Sequence, residues 1–137
     1  MYAEKSCGAV VFTKIDGQIK YVLIKSLEGI YGFPKGHVEG NETETETAWR
    51  EVREETGLRV ELLTGFRTTD SYLLPQKKDT VKEVVYFVGY YEGQIPVYQK
   101  EELTGISLHS YEDAMALLQF DSSKRILAEV NSFLRDM

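Results

Sequence analysis

Short runs of β-branched and aromatic residues, separated by polar turn signals, recur along much of this chain. Residues 10–12 and 21–24 are two such runs, and Asp16-Gly17 between them is typical of a hairpin turn. Further strands are predicted at residues 60–66, 83–91 and 95–98, with a loop rich in Pro, Lys and Asp at residues 75–80.

Three other segments have the pattern of helices. Residues 44–56 are strongly charged, Thr43 and Glu46 can form a capping box at the start of this segment, and Gly57 suits the end of the helix. A short helix is predicted after Ser110. A last helix begins at about Ser122, with one apolar stripe formed by Ile126, Leu127, Val130, Phe133 and Leu134. Because strands and helices mix without a regular βαβ alternation, the expected fold class is α+β, an α/β/α sandwich with a central mixed sheet.

The length, charge and cysteine content of the chain argue against several classes of protein. A length of 137 residues predicts a single domain spanning residues 1–137, and 42% hydrophobic residues can form its core without disulfides. The net charge of −6 argues against general nucleic-acid or membrane-surface binding, because both partners are polyanions. Cys7 is the only cysteine, and no secretion signal or membrane-spanning run is visible, so we expect a cytoplasmic protein. The sequence does not predict an oligomeric state.

The predicted helix at residues 44–56 carries the strongest chemical signal. Glu51, Glu54 and Glu55 stand at i, i+3 and i+4, which places three carboxylates on one helix face. Such oxygen donors suit Mg²⁺ or Mn²⁺, which commonly bridge carboxylates to substrate phosphates. A solvated helix face, partly neutralised by Arg50 and Arg53, is the alternative interpretation of this helix alone.

The loop before the helix favours the metal site. Gly36 is followed at fixed spacings by Glu42, Arg50-Glu51, an aliphatic residue, Glu54-Glu55, Gly57 and a second aliphatic residue. This pattern, over residues 36–58, resembles the Nudix box at each of its defined positions. A full match by chance is expected on the order of once in a billion windows.

The resemblance implies a metal-dependent Nudix hydrolase with a catalytic loop-helix-loop, which cleaves a nucleoside diphosphate linked to another group. Glu54 and Glu55 would be the principal metal ligands, and Glu51 a further ligand or the base that orients the attacking water. The implied role of Arg50 is to orient these glutamates. The resemblance also implies that the main-chain carbonyl of Lys35 is a metal ligand and that Glu42 braces the loop. Gly36 and Gly57 would give the backbone the freedom that the loop-helix-loop requires.

A narrower resemblance, to the asymmetrical dinucleoside tetraphosphatases, rests on residues outside the box. Its features are Cys7-Gly8, residues 34–39 (PKGHVE), Lys82 four residues before Tyr86, and the acidic pair Glu101-Glu102. It implies cleavage of diadenosine tetraphosphate to ATP and AMP, with Glu102 as a distal metal ligand. Candidate substrate contacts are Lys35, His37, Tyr72, Lys82 and Tyr86.

Several alternatives stay open. Glu101 or Glu83 could replace Glu102, and Tyr86 is as well placed in an alternating strand to belong to the core. ADP-ribose, a nucleoside triphosphate or 5′-triphosphorylated RNA are other possible substrates, and a base-stacking pair such as Tyr72 with Tyr86 would discriminate among them. A catalytically silent nucleotide sensor is the remaining alternative, although such proteins usually lose glutamates of the box.

Overall fold

Eight strands form one mixed sheet in the computed structural model, which describes residues 2–137 and has three helices in that range. The strands are β1 (Tyr2–Ile15), β2 (Gln18–Ser26), β3 (Tyr31–Gly32), β4 (Lys35–His37), β5 (Glu61–Leu62), β6 (Thr68–Leu73), β7 (Thr80–Tyr90) and β8 (Leu103–His109). The helices are α1 (Glu44–Thr56), α2 (Tyr111–Leu117) and α3 (Asp121–Arg135). None of these described helices is long and apolar enough to cross a bilayer.

The long strand β1 organises the sheet. It pairs in parallel with β7 along most of its length, and its other edge is shared by two antiparallel partners. The end of β1 pairs with β2, whereas Ser6 and Gly8 pair with His37 and Lys35 of β4. The loop that precedes α1, residues 29–40, contains four glycines and is called the glycine-rich loop. Its residues are therefore held beside the middle of the sheet, next to α1.

Side chains that alternate along β1 separate the core into two layers. Val10 and Phe12 face α2 and α3, where Leu127 is fully buried. Ala9 and Val11 face the opposite way and pack with Val52 of α1. Residues i and i+2 of a strand share a face, so one strand supplies both layers. The predicted α/β/α sandwich with a mixed sheet is confirmed.

The predictions that rest on turn residues and helix-capping residues are confirmed. A turn at Asp16-Gly17 joins β1 to β2. Helix α1 has the predicted bounds and a complete Thr43–Glu46 capping box, and its C-cap is Gly57 in the left-handed region. Helix α2 follows Ser110, whose side chain accepts a hydrogen bond from the Asp113 N–H, and α3 begins at Asp121.

Other strand predictions were wrong. Only Glu61–Leu62 of residues 60–66 forms a strand, because the chain turns at Gly65, where φ is 93°. Residues 95–98 form no strand. Strands β6 and β8 were missed, since their segments, TTDSYL and LTGISLH, lack the regular alternation by which a half-buried strand is recognised.

Candidate active site

The guanidinium group of Arg50 connects the glycine-rich loop to the carboxylates of α1. Its Nε donates to Glu42 Oε2 at 2.7 Å, its Nη1 to Glu51 Oε1 at 2.6 Å, and its Nη2 to the carbonyl oxygen of His37 at 3.0 Å. Nη1 also contacts both carboxylate oxygens of Glu54 at 3.2 Å. Charge-assisted bonds of this kind are stronger than neutral ones, so Arg50 fixes the orientation of three glutamates.

Glu42 holds Arg50 in turn and closes the loop onto the helix. Its Oε1 accepts hydrogen bonds from the Glu39 N–H at 3.0 Å and from the Thr47 hydroxyl at 2.9 Å. The hydrogen bonds from Arg50, and then that from the Glu39 N–H, lower the pKa of Glu42 to about 2. Glu42 is therefore ionised at neutral pH and acts as a fixed anchor within this network.

Glu55 has a different environment from the other glutamates of α1. Its side chain is only 8% exposed, and its Oε1 accepts a hydrogen bond from the Lys35 N–H at 3.1 Å. It forms no ion pair within the described residues. Burial raises its pKa to about 7; the Glu51 carboxylate adds to the rise and the Lys35 N–H opposes it. A buried carboxylate without a positive partner is costly when ionised, and a bound cation would remove that cost.

Gly36 allows the loop to approach α1 closely. A Cβ atom built at this position would lie 1.9 Å from Oε2 and 2.5 Å from Oε1 of Glu51. Because no side chain fits there, the Glu51 carboxylate lies directly against the backbone of β4. Burial raises the pKa of Glu51, and the hydrogen bond from Arg50 opposes this effect.

Gly36→Ala is expected to lower kcat/KM about 100-fold while changing the free energy of unfolding little. The methyl group displaces the flexible end of Glu51 and breaks its alignment with Arg50, whereas the backbone is unaffected. Steady-state kinetics and thermal melting of the purified variant test this. Gly105→Ala is the matched control, since a Cβ there approaches nothing closer than the Lys25 Cβ at 4.0 Å. Wild-type kinetics for Gly36→Ala would contradict the need for close approach.

The C-terminal end of α1 explains why residues 95–98 form no strand. The Val97 N–H donates to the Thr56 carbonyl at 2.8 Å, and the Gln99 N–H donates to the Glu55 carbonyl at 3.3 Å. These bonds satisfy helix carbonyls that would otherwise lack partners, so the segment follows the helix end and not the sheet. The Glu102 N–H bonds to the Gln99 carbonyl at 3.2 Å, and the Glu102 charge adds to the raised pKa of Glu55.

A cavity of about 1090 Å³ opens beside Glu55. Lys35 and Tyr86 line it together with Tyr72 of β6 and Phe120, the residue that precedes α3. Tyr86 is 6% exposed and meets Phe33 edge-on, whereas Tyr72 and Phe120 are 43% and 54% exposed. Tyr86 therefore belongs to the core and to the cavity wall, and the two exposed rings are the ones free to contact a ligand.

Two predicted substrate contacts, His37 and Lys82, lie beside the cavity and not in its wall. Lys82 is 7% exposed, and its Nζ lies 2.7 Å from Nε2 of His37. An ammonium group has only donors, so Lys82 donates to this imidazole nitrogen. Burial lowers the pKa of Lys82, as does the neighbouring charge of Lys35.

No three acidic, histidine or cysteine side chains of residues 2–137 converge closely enough to surround one ion. The reason is visible on α1, where Arg50 Nη1 contacts both Glu51 and Glu54. Glu55 is reached on the other side by the N–H of Lys35. Glu51, Glu54 and Glu55 thus lie on α1 with Arg50 bonded to two of them, whereas the other predicted ligands, Glu102 and the Lys35 carbonyl, lie outside this helix.

A family model for the NUDIX domain matches residues 5–130. The chain belongs to the Nudix family. The asymmetrical bis(5′-nucleosyl)-tetraphosphatase of Mus musculus is 35% identical, and the alignment covers 96% of each chain. The same enzyme of Rattus norvegicus is 32% identical with the same coverage. A crystal structure of a C. elegans Ap4A hydrolase binary complex has the same fold, with a TM-score of 0.89, 23% identity and coverage of 98% of this chain and 99% of that one.

These comparisons confirm the expected Nudix hydrolase and its narrower likeness to the asymmetrical tetraphosphatases. The Nudix box accounts for the Arg50 network, because all of its charged members lie on the loop and one helix. Phe120 was missed, since a single exposed aromatic residue before a helix has no distinctive pattern in a sequence. The feature that could have indicated Phe120 is its position directly before the last helix of an enzyme that acts on nucleotides.

Proposed function

We propose that this Nudix protein hydrolyses dinucleoside polyphosphates asymmetrically, converting diadenosine tetraphosphate to ATP and AMP. The observation that carries the proposal is the buried Glu55 carboxylate, which lies at the wall of a large cavity and forms no ion pair within the described residues. The names of the mouse and rat relatives supply the substrate class. We also propose that residues 1–137 act as one Nudix domain. A cytoplasmic location stays a prediction from the sequence.

The donor chemistry of the site fits a divalent ion, Mg²⁺ or Mn²⁺. Carboxylate oxygens dominate it, and Glu55 is a buried acid whose raised pKa a cation would lower. The residues that would hold the ion are Glu51, Glu54 and Glu55 of α1, with the Lys35 carbonyl and Glu102 at the margins. Such an ion neutralises phosphate oxygens and lowers the pKa of bound water.

The remaining charges of the box would keep the glutamates in place for in-line water attack. Arg50 holds Glu51 and Glu54 by hydrogen bonds, and Glu42 fixes Arg50 from behind. Glu51, which is partly buried against Gly36 and has a raised pKa, is suited either to bind the ion or to accept a proton from the attacking water. We propose these roles for the box residues.

Basic residues next to Glu55 suit the phosphate chain. Lys35 lines the cavity, and His37 follows it at the end of β4. Lys82 lies behind His37 and donates to it, so a phosphate that contacts His37 also feels the Lys82 charge. We propose that Lys35 and His37 contact phosphate oxygens and that Lys82 supports them electrostatically from its buried position.

The two exposed rings at the cavity suit a nucleobase. Aromatic residues stack on bases and contribute about 1–3 kcal/mol per base. We propose that Tyr72 and Phe120 contact one adenine, with Tyr86 forming the wall behind it. The cavity volume of about 1090 Å³ is at the upper end of small-molecule sites, so it suits a large part of a dinucleotide.

Tyr72→Leu is expected to raise KM for diadenosine tetraphosphate about tenfold and to change kcat little. Removal of the ring takes away stacking, whereas the box and its glutamates are untouched. Tyr72→Phe is the matched control, since it keeps the ring and should keep the wild-type KM. Equal KM values for the leucine variant and the wild type would exclude a base contact at Tyr72.

The proposed function is tested by chromatography of products from parallel Mg²⁺ and Mn²⁺ incubations. The substrates are diadenosine tetraphosphate, ADP-ribose, ATP and 5′-triphosphorylated RNA. ATP plus AMP from the dinucleotide, with the other three slow, is the expected result. AMP plus ribose phosphate from ADP-ribose as the fastest reaction would contradict the substrate class. No turnover of any of them would favour a nucleotide sensor.

A further inference from the structure

Three charged side chains and one histidine outside the cavity wall form a group that the Nudix box does not explain. The group consists of Glu4 of β1, His37 of β4, Lys77 of the β6–β7 loop and Lys82 of β7, and we refer to it as the Glu4 cluster. Glu4 Oε2 accepts a hydrogen bond from Lys77 Nζ at 2.6 Å, and Glu4 Oε1 lies 3.5 Å from His37 Nε2. Glu4 is the one acid whose oxygens contact these basic groups among residues 2–137.

Pairing of the strands places the Glu4 cluster next to the proposed substrate site. Lys82 pairs with Glu4 across β1 and β7, and with Tyr72 across β6 and β7. His37 is two residues from Lys35, which lines the cavity. A phosphate chain that leaves the cavity past Lys35 therefore meets the basic side of the cluster.

The positive charge of Lys82 strengthens the attraction of the Glu4 cluster for an anion. Its ammonium has three hydrogens, and within the described residues its hydrogen-bond partner is His37 alone. The Lys35 charge nearby adds to the positive potential. Glu4 reduces that potential, and its carboxylate engages Lys77 as a phosphate oxygen would.

We propose that Glu4 is a specificity-determining residue, an internal anion that occupies Lys77 and that a bound phosphate group must displace. This rests on the proposed function for the substrate class, since the basic groups are assigned to a phosphate chain. Displacement costs the Glu4–Lys77 bond, whereas a short chain that does not reach Lys77 leaves that bond intact and gains no contact with Lys77. A chain long enough to reach Lys77 replaces the lost bond with a phosphate contact.

Glu4→Gln is expected to tighten the binding of inorganic tripolyphosphate about fivefold at low salt, with the gain shrinking at high salt as screening predicts. Calorimetry of the full chain in chelator, at 50 mM and 500 mM NaCl, measures this without turnover. The matched control is Glu61→Gln, which makes the same charge change on the exposed strand β5 at the other end of β7. The control should bind like the wild type.

A double-mutant cycle tests whether Glu4 acts through Lys77. In a Lys77→Met background, Glu4→Gln should improve tripolyphosphate binding less than about twofold. Glu4→Gln should also lower KM for diadenosine tetraphosphate by a larger factor than KM for ATP, because the longer phosphate chain reaches Lys77, with kcat unchanged.

Three outcomes would overturn the proposal. They are unchanged or weaker binding by Glu4→Gln, an equal gain from Glu61→Gln, and no measurable binding by the wild type or the variant. Failure of the wild type to cleave diadenosine tetraphosphate, together with the expected tripolyphosphate shift, would count against the proposed function and in favour of the role of Glu4.

Discussion

Glu55→Gln should lower kcat for diadenosine tetraphosphate by about three orders of magnitude, which corresponds to roughly 4 kcal/mol of transition-state stabilisation. Glutamine keeps the size and the acceptor for the Lys35 N–H, but it removes the negative charge that would hold a divalent ion. The change therefore affects the chemistry of the site without removing a contact of the core. Single-turnover and steady-state kinetics in Mg²⁺ and in Mn²⁺ measure the loss.

Glu61→Gln serves as the control for this variant too, because Glu61 is exposed and its side chain forms no ion pair within the described residues. It should retain wild-type kcat. A Glu55→Gln protein that turns over within a few-fold of the wild type would contradict the assignment of Glu55 to the metal site. Loss of activity accompanied by unfolding would also contradict it, since the argument requires an intact fold.

The same substitution should change how stability depends on pH in the metal-free protein. The pKa of Glu55 is raised by burial from 4.5 in the unfolded chain to about 7 in the folded one. The folded state therefore binds the proton more tightly, so this contribution to stability is fully present below about pH 4.5 and is lost as pH rises through 7. Glu55→Gln should remove this fall in urea midpoint between pH 5 and 8.

Helix α1 shows which part of the fold the sequence determines locally. Thr43, Glu46 and Gly57 each act within a few residues of the helix ends, so the bounds of the helix are predictable from neighbouring positions. Residues 95–98 show the opposite case. Their composition resembles a strand, but the Val97 N–H bonds to the Thr56 carbonyl at the end of α1, a distant partner that no local pattern reveals.

The candidate site likewise contains residues that local sequence patterns predict and residues that only the tertiary structure brings together. The network of Arg50, Glu42 and Glu51 lies on one loop and one helix at fixed spacing, so its members are predictable from the sequence alone. Phe120 and the Glu4–Lys77 pair depend on which loops the sheet brings together. Glu4 and Lys77 are 73 positions apart, and only the parallel pairing of β1 with β7 makes them neighbours.

Gly8→Ala should be the most destabilising single methyl addition in the chain, costing about 3 kcal/mol of unfolding free energy. A Cβ at this position would lie 2.1 Å from the Pro34 carbonyl oxygen and 2.8 Å from the Lys35 Cα. Both are backbone atoms, so relief requires β4 to move away from β1. The same movement breaks the hydrogen bond from the Ala9 N–H to the Pro34 carbonyl, at 3.2 Å.

Urea denaturation measures this cost, and Gly105→Ala on the edge strand β8 is the control, expected to lie within about 0.5 kcal/mol of the wild type. Whatever Gly8→Ala protein remains folded should also be less active, because the displaced segment carries Lys35, whose N–H bonds to Glu55. A Gly8→Ala protein as stable as the control would mean that β4 can shift freely. In that case the backbone of β4 would not be what fixes Lys35 and Gly36 against α1, and the positioning of Glu51 would have to come from Arg50 alone.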